Sequence, residues 1–242
     1  MANTYFQFKQ FIIHQDQCAM KVSTDSCLFG AWLSKEIIPS LSNIHHVLDI
    51  GAGTGLLMLM QAQEHMIAID GIELDNSAYQ QALSNIELSH WKDRLQLFKG
   101  DVISFEFGYR YDLIISNPPF YENNLKPLSH SKASAMHDAT LNLGLLLGVI
   151  EKNINHEGYF ALLIPFYRFE EMKDLFLSKD FYLHKVSHVR HQEGHKFIRS
   201  MVLLSRKPAE ATIQYITIKE KDGAYTNAFK ELLYNYYLQN TG

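Results

Sequence analysis

From His45 onward the chain alternates between short, almost continuously apolar runs and longer stretches with helical spacing. "HHVLDI", "MIAIDGIEL", "RLQLFKGD", "YDLIIS" and "GYFALLIPF" are the apolar runs. They predict strands covered on both faces, because a half-exposed strand would alternate polar and apolar residues. Between them lie "LLMLMQAQEH", "NSAYQQALSNIELS", "LNLGLLLGVIEKNI" and "FEEMKDLFLSK". These are predicted helices, the second opened by Asp75 or Asn76 as its cap. Strand and helix in alternation, through short connections, predict an α/β fold. Its sheet is mostly parallel and seven-stranded, with helices on both faces. "FYLHKVSHVR" and "IRSMVLLSRK" follow one another with no helix between, so one of that pair is expected to run antiparallel. The tail adds a strand over Thr212–Lys219 and a helix over 224–238.

The first forty residues pattern differently. "FQFKQFIIHQ" alternates aromatic and polar residues and "CAMKV" follows as a second run, which together suggest a small hairpin. Thr24 or Asp25 is placed to cap a helix over "SCLFGAWLSKEI", which Pro39 and "SLSN" close. Residues 1–42 are therefore read as an N-terminal extension packing on a main domain, 43–242. No internal repeat and no low-complexity tract is present.

Composition narrows the classes. With 242 residues and 47% hydrophobic content the chain can bury a substantial core. No run reaches the roughly 18 to 20 apolar residues that a membrane helix needs. The start, "MANTYFQFKQ", has no charged segment followed by an apolar one, so no signal peptide is expected. Cys18 and Cys27 lack metal-ligand spacing, and reduced thiols in a cytoplasmic protein are the expectation. A net charge of −4 argues against general binding to nucleic acid. A local basic segment nevertheless runs from His184 to Lys207. It holds Lys185, Arg190, Lys196, Arg199, Arg206 and Lys207 against Glu193, with His184, His188, His191 and His195 interleaved. It reads either as a solvated surface or as a set of phosphate contacts. The histidines lack carboxylate or cysteine partners at ligand spacing, so no metal site is expected.

Candidate chemistry sits at the strand ends. In open α/β sheets, ligands lie beyond the carboxyl ends of the strands, at the switch point of strand order. "LDIGAGTGLL" follows the first strand of the main domain, with glycines at 51, 53 and 55 and an acid, Asp49, before them. Position 56 is leucine, so the dinucleotide pattern GxGxxG is broken, and no GKS or GKT follows to grip phosphate. The turn suits a ligand with an amino-acid end and no phosphate. Glu73, 22 positions beyond Gly51 in "GIELD", can accept from both hydroxyls of a ribose, with Leu74 beside it. Asp101 in "KGDV" can accept from an adenine amino group, and Val102 can pack on the ring. Each acid alone could be a helix cap. Acids at three consecutive strand ends, with the glycine turn, describe a pocket for S-adenosylmethionine.

The fourth strand ends in Asn117-Pro118-Pro119-Phe120. Two prolines stop the ladder, because neither carries an N–H. They also make a stiff platform bearing an amide, a carbonyl and a ring. An exocyclic amine is a poor nucleophile, since its lone pair is delocalised. The Asn117 side-chain oxygen and the Pro118 carbonyl could accept from that NH2, holding it in line and stabilising the charge it gains. Phe120 would stack on the planar group.

These motifs resemble the class I S-adenosylmethionine-dependent methyltransferases that act on planar nitrogens through [ND]PP[YFW], which have a Rossmann-like fold. "FKQFIIHQDQCAMKVSTDSCLFGAWL", "LDIGAGTGLL", "IELD" and "YDLIISNPPF" together are similar to the tRNA1(Val) adenine-N6-methyltransferase family, over nearly the whole chain. The resemblance implies methylation of adenine 37, beside the anticodon, by a cytoplasmic enzyme using S-adenosylmethionine. No metal and no membrane are expected, and the oligomeric state is left open, with a monomer favoured. It implies that Asp49, Gly51, Gly53 and Gly55 meet the methionine part, Glu73 and Leu74 the ribose side, and Asp101 and Val102 the adenine. Asn117, Pro118, Pro119 and Phe120 would be catalytic, and Lys21 and Asp25 would border the cofactor. Ser23 and Ser26 stand where the family is glycine-rich. The tRNA anticodon loop would meet the basic segment and the loop after the platform (Lys126, His130, Lys132, His137). Three other readings stay open: guanine-N2 methylation of ribosomal RNA, methylation of a release-factor glutamine, and a cofactor-binding scaffold without activity. The broken GxGxxG leaves a nicotinamide dehydrogenase as the weakest.

Overall fold

The computed structural model describes residues 3–18, 20–118 and 143–238. Pro119, Phe120 and the four basic residues of the following loop lie outside them. The main sheet holds β3 (His46–Ile50), β4 (Ala68–Glu73), β5 (Leu95–Lys99), β6 (Tyr111–Ser116), β7 (Ile154–Pro165), β8 (Tyr182–Gln192), β9 (Phe197–Ser205) and β10 (Thr212–Lys219). Their order is β10-β8-β9-β7-β6-β3-β4-β5. Seven strands were expected and eight are present, because the tail strand pairs in parallel with β8 and extends the edge. Only β9 runs antiparallel to its neighbours, the direction expected of one member of the helix-free pair.

The chain moves outward from β3 through β4 to β5, then returns to the other side of β3 with β6. That reversal, between β3 and β6, is the switch point, the place where open α/β sheets bind their ligands. The inner strands are buried on both faces, as their continuous apolar runs required. One face packs on α1 (Thr24–Trp32), α2 (Leu56–Glu64) and α6 (Asn227–Leu233). The other packs on α4 (Leu143–Asn153) and α5 (Phe169–Ser178). The remaining helix, α3 (Asn76–Glu87), is capped by Asp75, whose carboxylate accepts from the Ala78 N–H at 2.8 Å.

Three expectations are corrected. The small hairpin forms within one run: β1 (Tyr5–Gln7) pairs with β2 (Ile12–His14), and the described residues from 18 to 22 are not strand. Alternation in "FQFKQFIIHQ" spans both of its strands, and Phe8, Phe11 and Ile13 enter the same core as α1. The cap of α1 is Ser23, not Thr24 or Asp25. Ser23 and Ser26 form a reciprocal capping box, which leaves Asp25 available to another partner. The last helix is shorter than 224–238 because Tyr225 bridges back to Lys219 and Thr226 caps from there.

Candidate active site at the carboxyl edge

Register builds the site. Ile50 stands opposite Ile72 on β4 and opposite Ser116 on β6. Gly51, Glu73 and Asn117 therefore sit in one row at the ends of three adjacent strands, each about 5 Å from the next. Glu73 stands opposite Lys99, so Gly100 and Asp101 come next along the edge. Ser116 Oγ donates to the Ile50 carbonyl at 2.8 Å and fastens the row at the switch point.

The glycine loop has φ of 76°, 57° and 79° at Gly51, Gly53 and Gly55, the left-handed region that a side chain disfavours. Among the described residues beyond its chain neighbours, a Cβ at Gly51 would meet no atom within 4 Å, which leaves room there for a ligand. Glu73 holds this loop in shape. Its Oε2 accepts from the Gly53 N–H and its Oε1 from the Asp75 N–H, both at 2.8 Å. Each oxygen keeps acceptor capacity for a further donor, as a ribose diol would need. Leu74 beside it is 59% exposed, an apolar face at the rim. Asp101 Oδ1 accepts from the Ile103 N–H at 2.9 Å, and half-buried Val102 packs against the second core cluster.

Asp49 is a buried acid without a partner among the described residues: it is 1% exposed, and neither carboxyl oxygen has a hydrogen bond there. Burial, with a smaller contribution from the Glu73 charge, pushes its pKa up to about 8. A buried carboxyl without a partner suits a ligand that brings a cation and N–H donors, such as an α-amino group, beside which it would ionise. The glycine turn, the paired Glu73 and the orphaned Asp49 all fit S-adenosylmethionine.

A pH prediction follows. The folded pKa of Asp49 exceeds the unfolded value, so its contribution to stability is full below about pH 4 and declines as pH rises towards 8. The ligand-free protein should lose Tm as pH rises from about 4 to about 8. Asp49→Asn should flatten that slope and gain on the order of a few kcal/mol at the alkaline end. Thermal scans across pH check it; equal slopes in the two proteins would contradict the burial argument.

The N-terminal segment closes over the glycine loop. Asn85 Oδ1 accepts from the His14 N–H, and its Nδ2 donates to the carbonyls of His14 and Thr54, all at 2.9 Å. Gln81 Oε1 accepts from the Gln17 N–H at 3.0 Å. Cys18 lies close enough to Glu73 and Asp75 that their charges, after burial, help push its thiol up to about 11. Asn85 and Gln81 are missing from the sequence-based site. Two amides four residues apart on the buried stripe of α3 were the available signal.

Asp25 opens α1, which runs alongside α2 in the same direction, since Gly30 lies against Leu57 and Met60 while Ser34, a turn further on, meets Gln61 and His65. The start of α1 therefore reaches the carboxyl edge, where Asp25 pairs with Arg199 at 3.0 Å. Arg199 was expected among the phosphate contacts; this carboxylate partner was not. Lys21 donates to the Asn3 carbonyl at 3.2 Å and is not brought into the row.

The basic segment is divided between two edges. Lys185 pairs with Glu36 at 2.7 Å, Arg206 with Glu151, and Lys207 with Glu157 at 3.6 Å, all towards the amino edge. Burial holds His184 and His188 below the usual imidazole range. Arg190, Lys196 and Arg199 lie at the hairpin end of β8 and β9, on the same edge as Asn117.

Comparison with known proteins fits this geometry. Residues 25–158 match the family described as Methyltransferase small domain. A tRNA1(Val) (adenine(37)-N6)-methyltransferase of Yersinia pestis (strain Pestoides F) is 35% identical over 237 residues, covering 96% of this chain and 93% of the relative. A Listeria monocytogenes structure assigned as a class I S-adenosylmethionine-dependent methyltransferase superposes with a TM-score of 0.58 at 16% identity. It covers 84% of this chain and 67% of that one. The glycopeptide N-methyltransferase MtfA in complex with S-adenosylmethionine gives 0.55 at 11% identity, covering 74% of this chain and 94% of that one.

Sheet order, switch point and edge row define a class I S-adenosylmethionine-dependent methyltransferase. Within that class the chain belongs to the tRNA1(Val) (adenine(37)-N6)-methyltransferase family.

Proposed function

We propose that this enzyme transfers a methyl group from S-adenosylmethionine to the exocyclic N6 of adenine 37 in tRNA1(Val). The observation that carries it is the single row of Gly51, Glu73 and Asn117 over an orphaned Asp49, in a chain 35% identical to a relative bearing that name. S-adenosylmethionine supplies an electrophilic methyl group on a sulfonium. Asp49 and the glycine loop hold the methionine end, Glu73 and Leu74 the ribose side, and Asp101 and Val102 the adenine. Asp25, latched to Arg199, and Lys21 belong to the N-terminal extension, 1–42, that borders the pocket.

The Asn117 amide oxygen and the Pro118 carbonyl accept hydrogen bonds from the two N6–H groups. This keeps the nitrogen lone pair aimed at the neighbouring strand end, and the two oxygens stabilise the positive charge that develops there. Pro119 stiffens the platform and Phe120 stacks on the base, roles that rest on the motif. Adenine 37 lies in a loop, so swinging it out costs less than in a duplex. The enzyme would act in the cytoplasm, where Cys18 and Cys27 stay free thiols. No helix among the described residues is long and apolar enough to cross a membrane.

The test uses labelled S-adenosylmethionine and two transcripts of tRNA1(Val), one with adenine 37 replaced by guanine. Label should enter the first and not the second. Equal labelling of both would overturn the position, and label in ribosomal RNA or in a release factor would overturn the substrate class.

A further inference from the structure

The far end of the carboxyl edge carries an aromatic surface that the fold does not need. β10 has Ile216 and Ile218 buried on one face, yet on the other Ile213 and Tyr215 are 54% and 64% exposed. Tyr215 stands opposite His188, and Phe197 stands opposite Arg190. The Phe197 and Tyr215 rings lie 5.3 Å apart at 31°. His188 is 5.7 Å from the first and 5.9 Å from the second. Phe166, at the end of β7, is 5.1 Å from Phe197 and backs the group.

The cluster is held rigidly. His188 Nδ1 is 2.8 Å from Ser200 Oγ, and Phe169 meets the imidazole edge-on at 4.8 Å. Arg190 Nε donates to Thr217 Oγ1 at 2.8 Å while its guanidinium lies 5.7 Å from the Phe197 centroid. Thr217 and Lys219 follow Tyr215 on the same strand face, and Lys196 projects from the hairpin between β8 and β9.

We propose that this surface binds unstacked bases of the RNA substrate, those flanking the nucleotide that enters the Asn117 site. The inference rests on the RNA reading above and extends it to a second contact region. Flat rings with cations beside them suit single-stranded nucleic acid, because every base has a face to stack and every linkage a negative charge. The place is also right. β7, β9, β8 and β10 lie one to four strand spacings from β6, so the rings begin about 10 Å from the Asn117 strand and extend to about 19 Å. The surface explains how a protein with net charge −4 takes an anionic substrate: its basic segment is largely ion-paired elsewhere, and stacking supplies what charge does not.

The experiment measures affinity of the full chain for a fluorescent anticodon stem-loop RNA containing adenine 37, together with affinity for S-adenosylmethionine and sedimentation mass. Tyr215→Ala should weaken RNA binding roughly 5- to 150-fold, the equivalent of one lost stack. Tyr215→Phe should bind as the wild type does. Arg190→Ala should lower the salt slope by about one. Cofactor affinity should stay constant throughout, which reports an intact fold. Unchanged RNA affinity in Tyr215→Ala overturns the surface while leaving the methylation reading standing. A dimer that becomes monomeric in Tyr215→Ala, with RNA affinity unchanged, assigns the patch to a protein interface. A wild type that binds no stem-loop RNA overturns both.

Discussion

Asn117→Ala is expected to lower kcat roughly 10²- to 10³-fold, the scale of removing one charge-stabilising group from an active site. S-adenosylmethionine should bind to the variant with unchanged affinity. Asn117 follows the end of β6, level with Gly51, and in the proposed reaction its amide oxygen would be the acceptor that aligns the nitrogen. Its loss would leave the Pro118 carbonyl alone to position the NH2 and to stabilise the charge it gains, so the penalty falls on the chemical step. Asn117→Asp keeps an acceptor at the same place and should recover part of the rate. Single-turnover kinetics with isothermal titration of the cofactor separate the two effects. A variant that loses cofactor affinity and keeps its single-turnover rate would make Asn117 a structural residue.

Glu73→Ala should have the opposite signature. Two bonds to the ribose diol, each worth about 1.5–3 kcal/mol when the acceptor is charged, sum to a loss of affinity of roughly 10²- to 10⁴-fold. The damage spreads further, because the Gly53 and Asp75 N–H groups lose their acceptor together. Glu73→Gln should fall nearly as far. Its NH2 would face one of those N–H groups, donor against donor, whichever way the amide is turned. Removing the Glu73 charge should also lower the pKa of Asp49, which that charge helps to raise. The stability slope predicted for the ligand-free wild type should then end at a lower pH in Glu73→Gln. Cofactor titration measures the first effect and thermal scans across pH the second. A Glu73→Gln protein with wild-type affinity would show that the carboxylate holds the loop and not the ribose.

The sequence made the edge row legible because each part is local. A glycine turn, an acid closing the next strand and an Asn-Pro-Pro stop each announce a strand end, and alternation of strand and helix says that the ends converge. Contacts between distant residues left weaker traces. In "QALSNIELS" the spacing of Gln81 and Asn85 marks one helix face, but it does not say that Asn85 will clasp His14 and Thr54, since an amide in a helix reads as a solvated residue until its stripe is seen to be buried. The basic run from 184 to 207 looked like one patch because composition ignores direction. A hairpin of two long strands carries its middle to one edge of the sheet and both its ends to the other, so Lys185 and Arg199 could not share a surface. Ser23 displaced Thr24 and Asp25 as the helix cap because its partner three residues on is a serine, a capping box without the usual glutamate or glutamine.

Nucleoside mass analysis tests the central claim most directly. Purified tRNA1(Val) lacking the modification is incubated with S-adenosylmethionine and either wild-type protein or Asn117→Ala, then hydrolysed. One N6-methyladenosine per tRNA with the wild type, and a yield lower by about two orders of magnitude with Asn117→Ala in the same time, is the predicted result. A different methylated nucleoside, or N6-methyladenosine formed as fast by the variant, would contradict it.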